Sequence, residues 1–260
     1  MKKYFWLMAF AAVLFTSVAR AQCQPATDAQ TASYERVVKA LQSQFKENPP
    51  AGNWRIFDER HSLGKLEVSD EYGKMFRPCG DRYDLTLERG AAARERRARI
   101  DSAVAQADPT RQETSLVLST DSVYKQAEPA RARELGQNTV DINVEMNVAN
   151  YRLQEPESNR FVDNYKAVQV KNAPMALQVS LKSVGDSGGL QPRPETVVFL
   201  GNWKNNLKKD SKGNMVYHYS FAKGGNLVEN LVVTIKGPLD VAQEIIRKTD
   251  WQALSQTLIR

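Results

Sequence analysis

From residue 138 onward, polar and apolar positions alternate in short runs. In "TVDINVEMNVANYRL", Val140, Ile142, Val144, Met146 and Val148 take every second place against polar neighbours, the period of a strand buried on one face. "FVDNYKAVQVK" follows, then "MALQVSLKSV" with Leu177, Val179 and Leu181 in phase, then "TVVFLG", "MVYHYSFA" and "NLVENLVVTIKG". Together these predict about six strands. "KKDSKGN" and "KGGN" supply hairpin turns, because Gly and Asn accept positive φ. Short polar turns between consecutive strands point to an antiparallel sheet.

The period then lengthens. "PLDVAQEIIRK" and "TDWQALSQTLI" carry apolar residues at helical spacing, Leu239, Ala242, Ile245 and Ile246 in the first and Trp251, Leu254 and Leu258 in the second. Pro238 suits a first helical position, and Thr249 or Asp250 caps the second helix. Both helices are expected to cover one face of the sheet.

The first half mixes the two periods. "TDAQTASYERVVKALQSQFK", residues 27–46, places Tyr34, Val37, Val38, Leu41 and Phe45 on one helical face, with Thr27 or Asp28 as cap. The paired prolines of "ENPPAGN" end it. "WRIF", "GKLEVS" and "RYDLTLE" read as short strands. "ERGAAARERRARIDSAVAQA", residues 88–107, reads as a helix with a thin apolar face and an Arg-rich surface. Residues 110–137 carry mixed signals. The expected fold class is therefore α+β: an antiparallel sheet of about six strands in the C-terminal half covered by terminal helices, with an N-terminal helix and short strands. Residues 22–137 and 138–260 form two regions, separate or fused into one domain.

Composition changes this picture mainly at the N-terminus. Lys2 and Lys3 precede an apolar run from Tyr4 to Val18, and Ala19-Arg20-Ala21 fits an A-x-A cleavage site. Residues 1–21 thus read as a cleaved export signal, with a mature chain from Gln22. The periplasm is the first expectation and secretion the second. No later segment is apolar enough to span a bilayer. Removing Lys2, Lys3 and Arg20 takes the formal charge from +6 to +3. A balance this small gives no basis for nucleic-acid binding. Cys23 and Cys79 are the only cysteines, and an oxidising compartment pairs them in a disulfide. Two cysteines with His61 and His218 do not make a metal site, and no cofactor motif occurs.

One string carries candidate chemistry. Gly185-Asp186-Ser187-Gly188-Gly189 resembles the segment around the nucleophilic serine of chymotrypsin-like proteases. A nucleophile also needs a base and an orienting carboxylate. His61 in "DERHSLG" and His218 in "VYHYSF" are the only histidines, and neither lies in the context of those enzymes. The helix that must follow a hydrolase elbow is excluded by the prolines of "LQPRPETVVF". A glycine-rich connection between two strands accounts for the string. Arg89, Arg94, Arg96, Arg97 and Arg99 form a basic face, and Trp54 and Trp203 stand beside strand signals. The leading expectation is an exported, non-catalytic binding or accessory module of the cell envelope. Its partner would be an envelope protein or an anionic envelope polymer. A serine hydrolase using Ser187 with His61 or His218 is the alternative.

Overall fold

The computed structural model describes residues 23–61, 66–71, 75–79, 83–91, 94–96, 98–99, 102, 137–153, 162–181, 193–203, 207–209, 215–222 and 225–258. The fold is α+β, as the patterning predicts. Its centre is a seven-stranded antiparallel sheet in the order β2-β5-β6-β13-β10-β9-β8. These strands are β2 (Trp54–Arg60), β5 (Tyr83–Arg89), β6 (Thr139–Met146), β8 (Val162–Ala167), β9 (Met175–Leu181), β10 (Glu195–Leu200) and β13 (Leu231–Lys236). β1 (Gln24–Pro25), β3 (Glu67–Glu71) and β4 (Met75–Pro78) make a small second sheet. β11 (Leu207–Lys209), β12 (Met215–His218) and β7 (Asn150–Leu153) make a third.

Register explains which residues are buried. Leu85 faces Ile142, Ile142 faces Ile235, and Val144 faces Val233, so one face of the large sheet is a continuous apolar surface. Helix α1 (Asp28–Leu41), with the π-helical turn Gln42–Lys46 that extends it, packs on that face together with α2 (Leu239–Lys248) and α3 (Trp251–Gln256). Both terminal helices thus cover the sheet as expected. Thr27 rather than Asp28 caps α1: its Oγ1 accepts from Gln30 N–H while Gln30 Oε1 accepts from Thr27 N–H, a reciprocal capping box. Asp250 caps α3 by accepting from Ala253 N–H at 3.0 Å. Pro238 stands one residue earlier than its sequence suggests, at the cap of α2. On the opposite face, Val197, Phe199, Leu177 and Val179 pack under Tyr217 of the third sheet and under Trp203. Trp54 and Trp203 are both buried.

The long alternating run from Thr139 to Leu153 is two strands rather than one. Asn147 takes a left-handed φ of 53°, and the chain leaves the large sheet there and enters the third. Cys23 and Cys79 are bonded across a sequence separation of 56, and close the small sheet near the beginning of the described chain. Among the described residues no helix is long and apolar enough to cross a membrane.

Candidate functional site

β8 does not end at a tight hairpin. After Ala167 the chain continues through Val168, whose N–H donates to Ala176 O at 3.0 Å, and turns at Lys171-Asn172. Asn172 takes φ 65°, which an amide side chain tolerates. Ala173 N–H closes the turn on Val170 O at 3.1 Å. This extension stands opposite α2 and the joint between α2 and α3. A cleft of about 630 Å³ lies between them, within the range of small-ligand sites.

Each wall of the cleft is fixed by local structure. Gln178 and Thr196 are cross-strand partners on the helix-facing side of β9 and β10 and line the cleft together. Leu239, Gln243, Ile246 and Arg247 line it from α2; their spacing of four, seven and eight residues puts them on one stripe of the helix. The α2–α3 joint is tied at several points. Thr249 Oγ1 donates to Ile245 O at 2.7 Å, and Trp251 Nε1 donates to Ile246 O at 2.8 Å. Asp250 N–H donates to Gln44 Oε1 at 2.8 Å, and the Phe45 ring meets Trp251 edge-on at 6.3 Å. Gln44 and Phe45 both come from the π-helical turn, a distortion that recurs at functional sites.

The lining is mixed by chemistry. Val168, Val170, Ile246 and Leu239 give apolar surface, and Leu239 is 39% exposed although its helix is otherwise docked. Gln169, Asn172, Gln178, Gln243 and Gln252 bring five amides. None of these side chains has a hydrogen-bond partner among the described residues, although each amide offers two donors and an acceptor. Lys171 and Arg247 bring two cations, and Asp250, already engaged as the α3 cap, brings the one carboxylate among the described residues. Among the described residues no His, Cys, Ser or Tyr lines the cleft, which offers hydrogen bonds and charge.

The residues singled out by sequence do not gather there. Ser187 and its glycine-rich string lie outside the described residues. β10 begins at the end of the sheet where β13 leaves for α2, since Glu195 pairs with Lys236. His61 follows β2 at the opposite end, beside Tyr83, which begins β5. His218 is on β12 of the third sheet, exposed, with its Nδ1 hydrogen-bonded to Asn150 Oδ1. Of the Arg-rich segment, Arg89, Arg94, Arg96 and Arg99 are exposed, and Arg97 lies outside the described side chains.

His61 does belong to a polar cluster that sequence reading missed. Glu59 accepts from Lys46 Nζ at 2.6 Å and from Gln42 Nε2 at 2.8 Å, and the Tyr83 hydroxyl donates to it at 3.4 Å. Gln42 Nε2 also lies 3.4 Å from His61 Nε2, and the His61 ring stacks on Tyr83. Burial raises the Glu59 carboxyl, but the hydrogen bonds from Lys46 and Gln42 and the charges of Lys46 and His61 outweigh it, leaving it below the usual carboxylate range. Burial, then the neighbouring Glu59 charge, pushes the Tyr83 phenol far above its ordinary value. Glu59 is thus a fixed anion and Tyr83 a fixed neutral phenol, a pairing that pins the π-helical turn to the sheet edge. Among the described residues no group of three His, Cys, Asp or Glu is placed to hold a metal ion.

No family model matches the chain, and neither a curated protein nor a solved structure is significantly similar to it.

Proposed function

We propose that this protein is a non-catalytic binding module of the bacterial cell envelope, exported by its N-terminal signal and taking its ligand in the cleft between the 168–174 extension and α2. One observation carries the reading. Five amide side chains with no hydrogen-bond partner among the described residues line an open cleft that also holds two cations and an apolar patch. Hydrogen-bonding groups arranged this way fix the orientation of a ligand, while the apolar surface supplies contact area. The α2–α3 wall of the cleft is held in place by main-chain and side-chain bonds at the joint. The disulfide fits an oxidising compartment, and the A-x-A pattern of Ala19-Arg20-Ala21 supports a mature start at Gln22.

A fragment screen by heteronuclear NMR on the exported protein tests the reading. Amides, sugars, amino acids and carboxylates should shift resonances of residues 168–172 and 239–252, and Gln243→Trp, an exposed position, should remove those shifts by filling the cleft. A panel that leaves these resonances unmoved at millimolar concentration would dispose of the binding module. Intact mass of the exported chain tests the export reading, which requires a start at Gln22.

A further inference from the structure

We infer that the ligand is an acidic oligosaccharide, held by its hydroxyls on the glutamine amides and by its carboxylate between Lys171 and Arg247. The inference rests on the cleft being the ligand site and adds what the ligand is. Sugar hydroxyls are donors and acceptors at once, and so is a primary amide, so an amide can meet a pair of neighbouring hydroxyls from one planar group. Gln178 on the sheet, Gln243 on the helix and Gln169 on the extension present such groups from three directions. A sugar ring also has an apolar C–H face, and Val168, Val170 and Ile246 offer surface for it.

Other small-ligand chemistries fit the walls less well. A peptide held by main-chain pairing would need unpaired N–H and C=O groups in strand spacing. At the inner side of the extension two of these groups are already spent, on Val168 to Ala176 and on Ala173 to Val170. A lipid tail would need an enclosed apolar channel, whereas this cleft is polar over much of its lining. The two cations come from opposite walls, Lys171 from the extension and Arg247 from the last turn of α2. Lys171 has no ion-pair partner among the described residues. A single carboxylate bridging them leaves the neutral hydroxyls for the amides. The volume of 630 Å³ suits roughly two or three sugar rings.

Calorimetry with trigalacturonate against neutral maltotriose, on the full exported protein, tests the inference. Trigalacturonate should bind roughly tenfold or more tightly than maltotriose, with affinity falling as salt rises. Lys171→Ala combined with Arg247→Ala should abolish that preference, and Gln243→Ala should weaken both sugars. All three positions are exposed, and near-ultraviolet circular dichroism confirms that the variants stay folded. Equal affinity for the two sugars, indifferent to the charge variants, overturns the acidic ligand. Tighter binding of triglutamate than of trigalacturonate overturns the saccharide in favour of an acidic peptide. If neither sugar binds, the fragment screen separates the cases: shifts at the cleft with other chemistries sink the glycan alone, and a silent cleft sinks the binding reading with it.

Discussion

Asn147 donates its main-chain N–H to the carbonyl of Asn230 at 3.1 Å, and Asn230 brackets the next residue, Val148, with both ends of its amide. Val148 N–H donates to Asn230 Oδ1 at 2.8 Å, and Asn230 Nδ2 donates to Val148 O at 3.1 Å. The Asn147 side chain answers in the same way, accepting from Glu229 N–H at 2.8 Å and donating to Leu227 O at 3.1 Å. Both asparagines are 0% exposed. They hold the point where the chain crosses from the large sheet to the third one against the segment that leads into β13.

Asn230→Ala removes one acceptor and one donor and strands the Val148 N–H and C=O in the interior. Burial of two unsatisfied main-chain groups costs about 3 kcal/mol. Urea unfolding should report that loss as a lower midpoint with an unchanged slope.

Gly201 is required by a close approach. Its φ is 103°, and a Cβ there would stand 2.5 Å from the carbonyl oxygen of Glu229 and 2.9 Å from Asn230 Cβ. Gly201→Ala forces both a strained backbone and a clash with the asparagine-held segment, and should destabilise by about 2 kcal/mol or more. Its thermal midpoint, measured beside that of Asn230→Ala, checks this. The double variant should lose less than the two losses added, because both changes loosen the same segment.

Reducing the Cys23–Cys79 bond, or replacing both residues by Ser, frees a loop of 56 residues. The chain-entropy relation puts the cost at about 4 kcal/mol. Denaturant titration with and without reductant measures it. Hydrogen exchange should rise first at β1, β3 and β4, whose sheet the bond closes.

Glu59 gives the fold a defined acid response. Its folded pKa lies below the value of 4.5 for an unperturbed glutamate, so the unfolded chain binds the proton more tightly. Its contribution is complete above the unfolded pKa and is lost as pH falls through the folded one. Glu59→Gln should therefore lower the thermal midpoint at about pH 7, and the gap from wild type should close towards about pH 3. A gap that stays constant across that range would contradict the assignment.

Strands and helices with one clean period were readable from the chain. Val140 to Met146, Tyr83 to Leu87 and Leu177 to Leu181 alternate because one sheet face is buried and the other polar or separately packed. α1 carried its own start signal in Thr27 and Gln30. The break at Asn147 was hidden because Val148 keeps the alternation while its side chain joins the core on the other side of the sheet. β13 begins only at Leu231, since the residues before it are held by Asn147 and Ser33 instead of a strand partner. β4 was missed because four residues ending in proline carry no period. The cleft was the least legible feature. Gln169 and Gln178 lie far along the chain from Gln243 and Gln252, and in one dimension each is an ordinary polar residue. Leu239 shares the apolar spacing of its helix, and only packing shows that it turns toward the cleft, whereas Ile246 packs against the core and borders the cleft as well.

The order of the large sheet also sets when it can close. One meander supplies β2, β5 and β6, another supplies β8, β9, β10 and β13, and only the β6–β13 ladder joins them. Val144 must find Val233, far along the chain, so this seam carries a high loop-closure cost and forms late. A polypeptide emerging from its N-terminus presents β6 with an open apolar edge until residues 231–236 arrive. Under the export reading proposed above, a keystone strand that follows every other described strand of the large sheet delays its locking until that strand has passed.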